Sequence, residues 1–138
     1  MKVIDLETAK LLAKKSYNKP VLHHYDDGKL ITPYLENGSS TDTDFRVDLD
    51  DLYDYYNHYQ NCYNAPYQYE VMDWLRKEHN IHINIMWHCQ PNDPVGFLYY
   101  IGRKKGDTYV IPTAELENLQ ETYEEALEQG LIHALNLI

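Results

Sequence analysis

Only two cysteines occur in the 138-residue chain, Cys62 and Cys89, and they stand outside any C-x-x-C spacing. A disulfide framework and a zinc ribbon are excluded on that count, and a reducing, cytoplasmic setting is the simpler expectation. The six glycines are scattered singly, so there is no glycine-rich phosphate loop. Bases are scarce as well. Twelve Lys and Arg against 22 Asp and Glu give a formal charge of −10, which argues against nucleic-acid binding, because affinity for the phosphate backbone comes from clustered cations. No apolar run approaches a membrane span, and Met1-Lys2-Val3-Ile4-Asp5 begins without the apolar stretch of a signal peptide. The length suits a single domain, residues 1–138, able to hide roughly two-thirds of its unfolded surface without a covalent staple.

What the chain does have is concentrated between Pro66 and Trp87. Tyr67, Val71, Trp74 and Leu75 recur at helical spacing, with Asn64 as a cap and Pro66 in the first turn. Arg76, Lys77 and His79 collect where cations meet the negative end of a helix, and Asn80 suits the left-handed residue that stops it. The period then drops to two. Ile81, Ile83, Ile85 and Trp87 alternate with His82, Asn84, Met86 and His88, which predicts a strand with the first set against a core.

The flanking segments fill out an α+β fold. Leu6, Ala9, Leu12 or Ala13, and Tyr17 predict a short helix over about 5–15, and Val21–Tyr25, Asp26-Asp27-Gly28 and Lys29–Leu35 predict a β-hairpin. Leu49, Leu52, Tyr56, Tyr59 and Tyr63 predict a tyrosine-faced helix from Asp48 to Cys62. Beyond Trp87, Pro91-Asn92-Asp93-Pro94 is a turn, and Phe97 to Ile101 is a strand buried partly on both faces. Arg103-Lys104-Lys105-Gly106-Asp107 is expected to turn the chain into a last strand, Thr108–Ile111. Thr122-Tyr123-Glu124-Glu125 is a capping box opening a helix over 122–138, with Tyr123, Leu127, Leu131, Ala134, Leu135 and Ile138 as its stripe. Gly130 on that side leaves room for another backbone. The expected architecture is therefore a three-stranded antiparallel sheet over about 81–111, packed by helices over about 66–79 and 122–138. Helix, three strands, helix is also the order of the double-stranded RNA-binding fold, but Glu121, Glu124, Glu125 and Glu128 occupy the end of the last helix that would meet phosphates.

Two features point to the surface. Residues 36 to 54 hold seven acids (Glu36, Asp42, Asp44, Asp48, Asp50, Asp51, Asp54) against Arg46, and residues 115 to 128 hold six glutamates with no base. Fourteen tyrosines are present, seven of them between positions 53 and 69; a ring with a polar tip serves a half-buried core or a recognition surface. Tyr55, off its helical stripe, with Tyr100, Asp50 and Asp51, are the expected partner-binding residues.

The chemical alternatives are thin. His79, His82, His88 and Cys89 lack a spacing that closes a tetrahedron, and Asp42, Asp44, Asp48, Asp50 and Asp51 lack the glycine and final glutamate of an EF-hand. Cys89 beside His88 on a strand points away from it, which leaves no activated thiol. Arg103-Lys104-Lys105 reads as a solubilising turn. No catalytic, cofactor or metal residue is assigned, and a concave polar site around His82, His88 and Tyr100 is the one enzymatic arrangement left open.

Three blocks, AKLLAKKSYNKPVLHHYDDG, NCYNAPYQYEVMDWLRKEHNIHINI and TYEEALEQGLIHALNLI, resemble those of a group of small proteins of unassigned activity from gut bacteria and their phages and prophages. Ala65-Pro66, Trp74-Leu75-Arg76, His79, Ile81, Ile83 and Tyr123-Glu124-Glu125-Ala126-Leu127 carry the resemblance, and Tyr67 departs from it where the group has a small hydroxyl residue. The resemblance implies an accessory protein of a mobile element or its host and transfers no site residues. The expectation is a small non-enzymatic protein without cofactor that engages a protein partner or its own copy. The alternative is an acidic inhibitor that imitates nucleic acid on a host enzyme.

Overall fold

The computed structural model describes residues 1–19, 21–31, 61–105, 108–110 and 118–138. They form a mixed α+β protein that divides into two compact units, one of Val3–Pro66 and one of Met1–Lys2 with Tyr67–Ile138.

In the unit Val3–Pro66, α1 spans Leu6–Leu12 and buries Thr8, Ala9 and Leu12, shorter than predicted because its stripe holds few large side chains. Strands β1 (His24–Asp26) and β2 (Lys29–Ile31) form a hairpin where one is predicted, pairing His24 with Ile31, Tyr25 with Leu30 and Asp26 with Lys29; Val21–His23 precede the first strand, Asp26 belongs to it and not to the turn, and residues 32–35 lie outside the described residues. Asp27 (φ 47°) and Gly28 (φ 79°) both take the left-handed conformation that a two-residue turn requires. A third strand, β3 (Cys62–Asn64), pairs antiparallel with β1. This corrects the end of the predicted tyrosine helix: Cys62 and Tyr63 are strand residues, entered through Asn61 at φ 66°. A tyrosine spacing of three and four fits a helical stripe but says nothing about a neighbouring strand able to take up the backbone bonds. The rest of that helix, with the loop before it, lies outside the described residues. The Tyr25 hydroxyl donates to the Ile4 carbonyl at 3.0 Å, and Ile4, Ala9, Leu12, Tyr17 and Val21 are buried. His23 and His24 are buried too, and burial holds His24 below its ordinary pKa of 6.5, with Asp26 opposing and His23 adding to the effect. Burial and the adjacent Asp26 carboxylate, which accepts from Cys62 Sγ at 3.5 Å, push the Cys62 thiol up.

In the other unit, α2 spans Gln68–His79 and buries Gln68, Val71, Trp74 and Leu75. Its cap is Tyr67, not Asn64, and Pro66 precedes the helix. Glu70 takes over the capping role, its carboxylate accepting from the Tyr67 N–H at 2.8 Å. Asn80, at φ 54° and ψ 37°, ends the helix as predicted and passes the chain into β4 (Ile81–His88). Strand β5 runs Gly96–Lys105 and β6 runs Thr108–Val110, in the order β4-β5-β6, all antiparallel. Arg103-Lys104-Lys105 therefore continue the strand instead of turning it. The final helix, α3, spans Tyr123–Leu135 behind the predicted box: Thr122 Oγ1 accepts from the Glu125 N–H at 3.2 Å, and Glu125 accepts from the Thr122 N–H at 3.1 Å.

Helix α3 lies on one face of the sheet, and Gly130 shows why. A Cβ built there stands 2.9 Å from Ile83 Cγ2 and 3.4 Å from Tyr99 Cβ, so the close approach is to side chains of the sheet. Ile83 and Tyr99 share that face with Ile81, Ile85, Trp87, Phe97 and Ile101. Ile101 (1% exposed) and Leu98 (3%) are buried on opposite faces of β5, as its two apolar sets predict. One acid of α3 is not a surface group. Glu128 is buried and accepts from Gln68 Nε2 at 2.6 Å, while the same amide donates to the Glu124 carbonyl at 3.0 Å.

Two outcomes follow. Gly130→Ala gains about 1 kcal/mol of helix propensity, yet the added methyl has to move a buried isoleucine, so denaturant unfolding should show a net loss of roughly 1–3 kcal/mol; a variant more stable than the parent contradicts the close approach. For His24, the unfolded chain takes up its proton near 6.5 while the folded one resists, so stability is full above that pH and declines as pH falls below it. Unfolding free energies from denaturant titrations through this range should drop by no more than about 1.4 kcal/mol per pH unit for this group. The slope should flatten in His24→Gln, and an unchanged slope contradicts the assignment.

Candidate docking surface at the aromatic end of the sheet

From the contact of Gly130 with Ile83, α3 runs seven residues back to Tyr123, about 10 Å at 1.5 Å per residue, while β4 runs four residues on to Trp87, about 13 Å. The helix stops short of the strand. Consequently the core face of the sheet emerges from under its cover at Ile85, and the apolar side chains beyond that point meet solvent. Trp87 is 55% exposed and Tyr123 45%, which corrects the sequence reading of both as core residues. Strict alternation identifies the face a strand residue occupies, but not how far the opposing helix extends.

The emergent residues form a packed aromatic run. Trp87 and Phe97, opposite each other in the β4–β5 register, meet edge to face with ring centroids 4.8 Å apart. Phe97 meets Tyr123 in the same manner at 6.3 Å. Val95, 56% exposed, lies two residues before Phe97 in the chain. The turn between β4 and β5 is held shape-fast: the Asp93 N–H donates to the Gln90 carbonyl at 3.1 Å, His88 Nε2 lies 3.1 Å from Asp93 Oδ2, and Asn92 sits at φ 69°. Gln120 exchanges backbone bonds with Phe97 at 2.8 and 2.9 Å, which places the approach to α3 along the far side of β5. Glu121, Glu124 and Glu125 are exposed where α3 begins, so an acidic rim borders the aromatic run.

Of the partner-binding residues expected from sequence, Tyr100 lies half-buried on the opposite face of β5, across from Asn84. Tyr55, Asp50 and Asp51 fall outside the described residues. Among the described residues, the groups named for a polar site do not converge. His82, His88 and Tyr100 share a face, but the two histidines are six residues apart on one strand, about 20 Å, and His88 is engaged with Asp93. His79 packs its ring against Trp74 at 4.6 Å. Among the described residues no three His, Cys, Asp or Glu side chains are grouped as metal ligands, and no helix is long and apolar enough to cross a membrane.

No family model, no curated protein and no solved structure matches the chain.

Proposed function

We propose that this chain is a small, non-enzymatic interaction protein whose aromatic end binds a protein partner carrying an apolar segment flanked by Lys or Arg. The observation behind the proposal is Trp87, a large ring 55% exposed that is already packed edge to face on Phe97. Fixed aromatics at the centre of a patch are what binding energy concentrates on, since little side-chain freedom remains to be lost. Charge selects the partner. Glu121 and Glu124 border the patch and the whole chain carries −10, so a basic surface is drawn to it and an acidic one is repelled.

The resemblance of the three sequence blocks supports a place for the protein among accessory factors of a bacterial mobile element or its host. An acidic inhibitor seated on a nucleic-acid site is the second reading, favoured by the same glutamates. Binding of RNA by the helix–three strands–helix unit is opposed by those acids at the start of α3.

The test is affinity capture from host lysate with the tagged protein and with Trp87→Ala, followed by direct binding measurements on any protein retained by the first and lost by the second. The expected loss is 30-fold or more in affinity, about 2 kcal/mol or above for a central tryptophan, with a milder, salt-sensitive loss in Glu121→Gln/Glu124→Gln. Equal capture by the Trp87→Ala protein removes the patch from the account. Binding abolished by moderate salt but indifferent to Trp87 favours the acidic inhibitor.

A further inference from the structure

The backbone bonds between Phe97 and Gln120 reveal which way β4 presents its own polar groups. Phe97 directs both its N–H and its C=O toward Gln120, away from β4, so its pairing with Trp87 is of the non-hydrogen-bonded kind. Direction alternates along a strand. His82, Asn84, Met86 and His88 therefore bond to β5, and the N–H and C=O groups of Ile81, Ile83, Ile85 and Trp87 point outward, to the side where β4 has no neighbour among the described residues. Ile81 is fully buried, whereas Ile83 reaches the surface slightly, Ile85 further and Trp87 most. Among the described residues, the open template is the stretch Ile83–Trp87.

This edge lacks the usual guards against pairing. It holds no charge, no proline and no glycine, and two of its side chains, Met86 and Trp87, are more than half exposed. The other described edge strands differ: β2, β3 and β6 are three residues long each, and the outer side of the central β5 meets β6 and Gln120.

We infer that the Ile83–Trp87 edge of β4 pairs antiparallel with the same edge of a second copy, about a twofold axis through Ile85. That register alone pairs all three outward-directed residues of the stretch, setting Ile85 against its own copy and Ile83 against Trp87 of the other chain. Each such pair exchanges two backbone bonds. The side chains agree with it. On the helix face isoleucine meets isoleucine and tryptophan, and on the opposite face Asn84 meets Met86. A neutral strand is also where two chains of charge −10 approach without setting like charges in direct opposition. The inference goes beyond the proposed function, whose partner is basic, and shares with it one feature, that Trp87 is a contact residue.

Sedimentation equilibrium of the full chain decides it. A mass twice 16.3 kDa is expected at about 100 µM, well above the dissociation constant of even a micromolar dimer. Asn84→Lys/Met86→Lys and Asn84→Glu/Met86→Glu, both altered only at exposed positions, should each be monomeric, because every substituted residue then faces a like charge. Mixing the two charge variants should restore the doubled mass. A monomeric parent, or charge variants that remain dimeric, overturns the inference. A monomeric parent that still loses a captured partner on Trp87→Ala ends the inference while leaving the proposed function in place, and a dimer with no partner dependent on Trp87 does the reverse.

Discussion

The approach of Gly130 to Ile83 and Tyr99 governs the unit built around the larger sheet. Because no side chain separates helix from sheet at that point, α3 is seated deeply and at one place along β4, and its first turn has to fall near Phe97. Where the helix begins then determines what it leaves bare. Thr122 and Glu125 complete each other's backbone bonds and end the helix cleanly, so Tyr123 is the last ring that α3 can lay over the sheet. Trp87 lies past it. The exposed aromatic end is thus a consequence of one small residue and one cap, Gly130 and Thr122, eight positions apart.

Electrostatics divides along the same helix. Glu128 points inward, where the Gln68 amide meets it at 2.6 Å and joins α2 to α3 through a buried polar contact. Glu121 and Glu124 remain in water and give the aromatic run its acidic border. A buried acid fixes the helix pair, and exposed acids choose what can approach. The neutral strand between them, Ile83–Trp87, is the stretch where backbone polarity and apolar rings reach the surface together.

Much of this was legible in the residues. The step from helix to strand at Asn80 and the capping box at Thr122 are local chemistry, written in adjacent side chains, and they stand where the sequence puts them. Trp74 and Ile83 are buried as their periods require. What sequence could not supply depends on long-range fit. Trp87 continues the isoleucine alternation perfectly, and only the length of the opposing helix shows that it has run out of cover. Glu128 looked like one more solvated acid, because its partner Gln68 lies 60 residues away. Tyr63 continued a helical rhythm, but β1 offered its backbone a strand partner. The one signal at hand for the docking surface was the pair Trp87 and Phe97 on either side of a turn rich in proline, an arrangement that brings two rings together at the tip of a hairpin, where helices seldom reach.

The central claim is that Trp74, on the inner side of α2, is buried while Trp87, at the end of β4, stands in water, and the two tryptophans of the chain make it directly measurable. Acrylamide quenching and emission maxima of the Trp87→Phe and Trp74→Phe proteins, each retaining one indole, should be recorded at low micromolar concentration. The account predicts blue-shifted, poorly quenched emission from Trp74 alone and red-shifted, strongly quenched emission from Trp87 alone. Equal protection of the two indoles in the dilute protein would contradict it.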